Sequence, residues 1–140
     1  MAKNKFRDVY DQVLARQLIQ RPRRKPGVEE HLLQCACVQW FRLQYPDYAN
    51  LLFAVPNGGR RDKVTGGKLK AEGVTAGVSD MILMLPRQGF HAACIEMKTP
   101  RGRQSQQQRQ WQRLVAAQGY RYIIVRTVQE FIDQVNGYLQ

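Results

Sequence analysis

Asp80, Glu96 and Lys98 are the residues of this chain whose types and spacing can do chemistry together. Gly77-Val78-Ser79-Asp80 leads into the apolar run Met81 to Leu85. Pro86-Arg87-Gln88-Gly89 then separates it from a second run, Ala92 to Ile95, which ends Glu96-Met97-Lys98. Short apolar runs bounded by turn residues predict two strands of a hairpin. Side chains alternate along a strand, so Glu96 and Lys98 share one face and Met97 takes the other. An antiparallel return brings the end of the second strand beside the start of the first, so Asp80 and Glu96 can converge although they lie sixteen positions apart. Two carboxylates at a sheet edge with an ammonium beside them suit a hard divalent cation.

Several elements must hold this hairpin. From Val28 to Tyr45, Leu32, Leu33, Ala36, Val38, Trp40, Phe41 and Leu43 predict a largely buried helix closed by Pro46. Glu29 and Glu30 open it, where a glutamate ordinarily suits the positive end of the helix dipole. Leu51 to Val55 reads as a strand, followed by Pro56-Asn57-Gly58-Gly59-Arg60-Arg61. Asn-Gly marks a hairpin loop, while two arginines behind two glycines also let a phosphate approach the backbone within reach of guanidinium forks. Lys68 to Glu72 suggests a short helix, and Gly73 and Gly77 allow the chain to bend tightly before Asp80.

After the loop Thr99-Pro100-Arg101-Gly102, a helix is predicted with Ser105 as N-cap, running along Trp111, Leu114, Val115 and Gln118 until Gly119. Its start is crowded with glutamines at 104, 106, 107, 108 and 110, and a solvated face accounts for most of them. Tyr120 to Val125 is a β-rich run, and Val128, Phe131, Ile132, Val135 and Leu139 form the stripe of a closing helix. The expected fold is α/β, in the order α-β-β-β-α-β-α around one mixed sheet. Ahead of it, Phe6, Val9, Tyr10, Val13, Leu14 and Leu18 predict an amphipathic helix over residues 6–20, and Arg21-Pro22-Arg23-Arg24-Lys25-Pro26-Gly27 a basic linker. The expected division is an N-terminal helix and linker over 1–27 and a main domain over 28–140.

The chain has 140 residues, with 22 Lys/Arg against 11 Asp/Glu, for a net charge of +11. Such an excess on one small domain predicts a polyanionic partner, nucleic acid above all. Residues 1–27 hold eight Lys/Arg and two Asp, or +6, which leaves +5 on the remainder, so the partner is not a property of the tail alone. Cys35, Cys37 and Cys94 are odd in number, and no signal-like apolar segment stands near the N-terminus; a reducing cytoplasmic setting is expected. His31 and Cys35 lie one helical turn apart, but no second ligand pair at zinc spacing follows. No apolar run approaches the length needed to cross a bilayer.

Taken in order, these pieces resemble the VRR-NUC nucleases, a branch of the PD-(D/E)XK superfamily that includes restriction endonucleases and Holliday-junction resolvases. The matching pieces are Glu30, Pro56-Asn57-Gly58-Gly59-Arg60-Arg61, Lys68-Leu69-Lys70-Ala71-Glu72-Gly73, Gly77-Val78-Ser79-Asp80, Glu96-Met97-Lys98, Ser105 with Gln108 and Trp111, and Gly119-Tyr120. The similarity covers roughly residues 28 to 127 in order. Glu-x-Lys alone is weak, and the ordered set is strong. Ser79 departs from the proline the family more commonly has before the aspartate, which changes the rigidity of the turn and removes no ligand.

The resemblance implies a restriction-endonuclease-like core. It implies that Asp80, Glu96 and the Met97 backbone carbonyl bind Mg²⁺ or Mn²⁺, with Glu30 completing the acidic cluster directly or through water. Lys98 would position or activate the attacking water, and Gln108 would orient that water or Lys98. Asn57, Arg60, Arg61, Lys63, Lys68, Lys70, Arg101 and Arg103 are the expected DNA-binding residues. The leading expectation is a metal-dependent, structure-specific DNA endonuclease on branched DNA, a Holliday-junction-resolvase-like homodimer with no organic cofactor and no membrane, in a bacterial or phage-infected cytoplasm. The alternatives are a non-catalytic nucleic-acid-binding protein, in which Asp80 and Glu96 only pair with cations, and a flap- or sequence-specific nuclease using the same site.

Overall fold

In the computed structural model, Gln12 and residues 25–56 and 63–140 are described. The predicted helix over 6–20 and the linker up to Arg24 therefore lie outside the described residues, Gln12 excepted.

Helix α1 spans Pro26–Gln44, with proline in its first turn, where the missing N–H costs nothing. Pro46 does not simply end it. A 3₁₀ segment, Pro46–Leu51, carries the chain into β1, Leu52–Ala54. Helix α2 (Lys63–Ala71) follows and starts earlier than the short helix expected over Lys68 to Glu72. Its Gly66 and Gly67 weaken the helical signal in the sequence. Strands β2 (Met81–Leu83) and β3 (Ala93–Met97) come next, then α3 (Gln106–Ala117), β4 (Arg121–Val125) and α4 (Val128–Leu139).

The four strands form one mixed sheet in chain order, β1-β2-β3-β4. The first two pairings are antiparallel, and β4 joins β3 in parallel after the α3 crossover. The tight turn of the central hairpin is centred on Gln88 and Gly89, both at positive φ (52° and 82°), with Arg87 and Phe90 exchanging backbone hydrogen bonds across it. That is the primed geometry whose twist matches paired strands, so the turn sits closer to β3 than Pro86 suggests.

The core lies on one side of the sheet. Phe41 and Cys37 from α1, Phe131 and Val135 from α4, and Met81, Leu83, Ile95, Met97 and Val125 from the strands are all essentially inaccessible. Trp40 meets Phe131 edge-on at 5.9 Å. Alternation then turns the side chains between these strand positions, Glu96 and Tyr122 among them, towards the opposite face, which α3 covers.

Candidate active site

The register of the hairpin decides whether the two acids meet. Met81 pairs with Ile95, so one step further places Asp80 opposite Glu96. Asp80 Oδ2 accepts a 2.6 Å hydrogen bond from the Met97 backbone N–H, which ties the start of β2 to the end of β3. Gly77 (φ 86°) makes the bend before it; a Cβ there would lie 2.5 Å from the Gln107 carbonyl oxygen, so only glycine lets the turn rest against α3.

Glu96 is fully buried, and its two oxygens differ sharply. Oε2 accepts from the Tyr122 hydroxyl (2.5 Å) and from Gln104 Nε2 (2.9 Å). Oε1 has no hydrogen-bond partner among the described residues, only the Lys98 ammonium at an ion-pair distance of 3.5 Å. Lys98 is itself buried, and its backbone N–H bonds to Val125 O, which holds the segment beyond β3 against β4. The pairing of Glu96 with Lys98 and the burial of Met97 in the core agree with the alternation expected from the sequence.

Glu30 reaches this cluster from α1. It lies past the first helical turn, and Glu29 is the residue placed to meet the helix dipole. Burial raises the Glu30 carboxyl above its ordinary range, the Lys98 charge opposes this, the Asp80 charge adds to it, a hydrogen bond from the Thr99 backbone opposes it, and the Glu96 charge adds to it least. The Asp80 carboxyl is also raised, chiefly by burial; the Met97 hydrogen bond lowers it, the Glu96 charge raises it and Lys98 lowers it. Among the described residues no three His, Cys, Asp or Glu side chains gather tightly enough to form a ligand group by themselves. The close set is therefore the pair Asp80 and Glu96, with Glu30 beside it. A cleft of about 1010 Å³ runs from Glu30 and Asp80 between α1 and β1, past Val38, Arg42 and Val55.

Gln108 has a local role that its spacing foretold only in part. Ser105 caps α3, and Gln108 completes a capping box: Ser105 Oγ accepts from Gln108 N, and Gln108 Oε1 accepts from Ser105 N. The glutamine brought against the acidic cluster is Gln104, whose amide also reaches Gln112 Oε1 at 2.9 Å. Sequence reasoning missed Gln104 and Tyr122. The crowding of glutamines before α3 was the available signal for the first; for the second, only the parallel register of β3 and β4 reveals it.

Lys68, Lys70, Arg101 and Arg103 are exposed. Asn57, Arg60 and Arg61 lie outside the described residues, as does the side chain of Lys63. His31 Nε2 and Cys35 Sγ are 3.6 Å apart on the exposed side of α1. Among the described residues no helix is long and apolar enough to cross a membrane.

Comparison with known proteins bears on the family and the fold. No curated protein matches the chain. A solved structure described as a VRR_NUC domain protein superposes with a TM-score of 0.69 over 79% of this chain and 87% of its own, at 21% sequence identity. The likeness is one of fold: a mixed four-stranded sheet flanked by helices, as in restriction-endonuclease-like proteins. The VRR-NUC domain family model matches residues 8–129 and so also takes in most of the stretch ahead of α1. This chain belongs to the VRR-NUC domain family, a family of nucleases.

Proposed function

We propose that this protein is a Mg²⁺- or Mn²⁺-dependent DNA endonuclease that hydrolyses phosphodiester bonds in branched DNA. The observation that carries the reading is the meeting of Asp80, Glu96 and Lys98 at one end of β2 and β3, with a buried anionic oxygen, Glu96 Oε1, that no hydrogen bond from the described residues satisfies. Buried polar atoms are ordinarily paired, so an orphaned carboxylate oxygen beside a second carboxylate fits a cation-binding role. Asp80 and Glu96 would hold the ion, together with the Met97 carbonyl, and Glu30 through water. When bound, the cation neutralises phosphate oxygens and lowers the pKa of water.

The chain's own groups do the rest. Lys98, held by Glu96, positions the attacking water and donates to the phosphate oxygen on which charge develops. Glu30 keeps the site acidic from the α1 side. The Ser105–Gln108 capping box fixes the first turn of α3 and the approach of Gln104 to Glu96. Lys68, Lys70, Arg101 and Arg103, with Asn57, Arg60, Arg61 and Lys63, grip the phosphate backbone and so supply affinity rather than sequence choice. A homodimer would place two such sites on opposing strands of a four-way junction, in the cytoplasm of a bacterial or phage-infected cell.

The competing reading, a non-catalytic DNA-binding module, has the buried Glu96–Lys98 pair in its favour. Against it, Asp80 has no ion-pair partner among the described residues. A cleavage panel on fluorescent four-way junction, flap and linear duplex DNA, with Mg²⁺, Mn²⁺ or EDTA, separates the two. Metal-dependent cutting of the junction that Glu96→Gln abolishes without loss of DNA binding supports the nuclease. Binding with no cutting of any substrate refutes it.

A further inference from the structure

We infer that Tyr122 and Gln104 are positioning residues that hold Glu96 so that a single oxygen faces the site. This rests on the proposed metal-binding reading of Asp80 and Glu96 and adds how the ligand is aimed.

Both hydrogen bonds to Glu96 fall on the same oxygen, Oε2, from Tyr122 at 2.5 Å and Gln104 at 2.9 Å, and Oε1 receives neither. Each donor is itself fixed. Tyr122 stands on β4 with its ring edge-on to Trp111, centroids 6.1 Å apart. Gln104 gives one amide hydrogen to Glu96 and the other to Gln112 Oε1, while Arg109 Nη1 donates to its backbone carbonyl at 2.6 Å. The carboxylate plane is therefore set by three separate pieces of chain: β4, the loop before α3, and α3.

The same device recurs at Asp80, where Oδ2 is taken by the Met97 N–H. Each acid thus offers one oxygen, the arrangement suited to a small octahedral ion that retains several waters. Without Tyr122 and Gln104 the Glu96 side chain could rotate, share both oxygens with Lys98, and lose its aim.

Tyr122→Phe removes only the hydroxyl and keeps the ring against Trp111. Gln104→Leu tests the second donor independently, so loss of folding in one variant leaves the other informative. The experiment measures Mn²⁺ binding to the full chain by calorimetry without DNA, alongside thermal melting and the Mn²⁺ concentration giving half-maximal junction cleavage. Expected is a loss of Mn²⁺ affinity of about tenfold or more in each folded variant, matched by a rise in the Mn²⁺ requirement. A merely structural role would lower the melting temperature and leave Mn²⁺ affinity unmoved. Mn²⁺ affinity within about twofold of the unmodified protein in both variants overturns the positioning role while leaving the metal site standing. Absence of Mn²⁺ binding by the unmodified protein overturns the metal site, and this inference with it.

Discussion

Asp80→Asn should stabilise the protein while abolishing its activity, and the reason lies in the pair of acids. The ionised Asp80 is desolvated and sits beside the charge of the fully buried Glu96, so folding holds a proton on Asp80 more tightly than the unfolded chain does. An acid with a raised folded-state pKa imposes no penalty at pH values below the ordinary carboxylate range. The penalty grows as pH rises through the raised value and is complete above it. Asparagine keeps an oxygen for the Met97 N–H and removes the charge.

At pH 7 without metal the variant should gain about 1 kcal/mol, or roughly 4 °C in melting temperature. The gain should shrink towards zero in acid. Mg²⁺ at about a hundred times its Kd adds about 2.7 kcal/mol to the unmodified protein and little to the variant, so the order of stability reverses. Junction cleavage should fall at least about 10³-fold, the equivalent of about 4 kcal/mol of transition-state stabilisation. Differential scanning fluorimetry between pH 4 and 8, with Mg²⁺ or EDTA, reads the first part, and a gel assay reads the second. A variant less stable than the unmodified protein at pH 7 in EDTA, or one cutting within about tenfold of it, would refute the reasoning.

Other substitutions probe the scaffold. Gly77→Ala combines a positive φ of 86° with a Cβ 2.5 Å from Gln107 O, and should cost about 3 kcal/mol in urea unfolding; a neutral result would show that the turn can move away from α3. Lys98→Met leaves the Glu96 charge buried with no ammonium and should destabilise by about 3 kcal/mol or more in EDTA, partly recovered by added Mn²⁺. Phe131→Ala, in the core between α1 and the sheet, should cost about 3–5 kcal/mol without changing the Mn²⁺ requirement of whatever fraction stays folded. With a net charge of +11, duplex binding by fluorescence anisotropy should weaken about 10³-fold between 50 and 200 mM salt if about six phosphates are contacted. Affinity that ignores salt would remove the electrostatic account of binding.

Much of this protein is written in local patterns that a linear reading can follow. The short apolar runs Met81 to Leu85 and Ala92 to Ile95 hold two adjacent strands, β2 and β3, Ser105 caps its helix, and Gly119 at φ 86° ends it. These features depend on residues within a turn or a few strand positions of each other, so composition and spacing carry them. The same holds for Asp80, Glu96 and Lys98, because a single hairpin return is enough to bring them together.

What lies across longer separations was settled only by the tertiary structure. Whether Glu96 would show both oxygens or one depends on Tyr122, brought in by the parallel pairing of β3 and β4, and on Gln104, placed by the entry into α3. Which of several glutamines meets the acid is not a matter of spacing, since Gln108 is drawn to the nearer backbone N–H of Ser105. The length of α2 escaped the sequence because two adjacent glycines mask a helical stretch. Residue types and order thus singled out Asp80, Glu96 and Lys98 as groups that one hairpin brings together. Orientation and burial of those groups came from packing between distant segments, since a hydrogen bond fixes one oxygen only when the fold has already brought its donor within 3 Å.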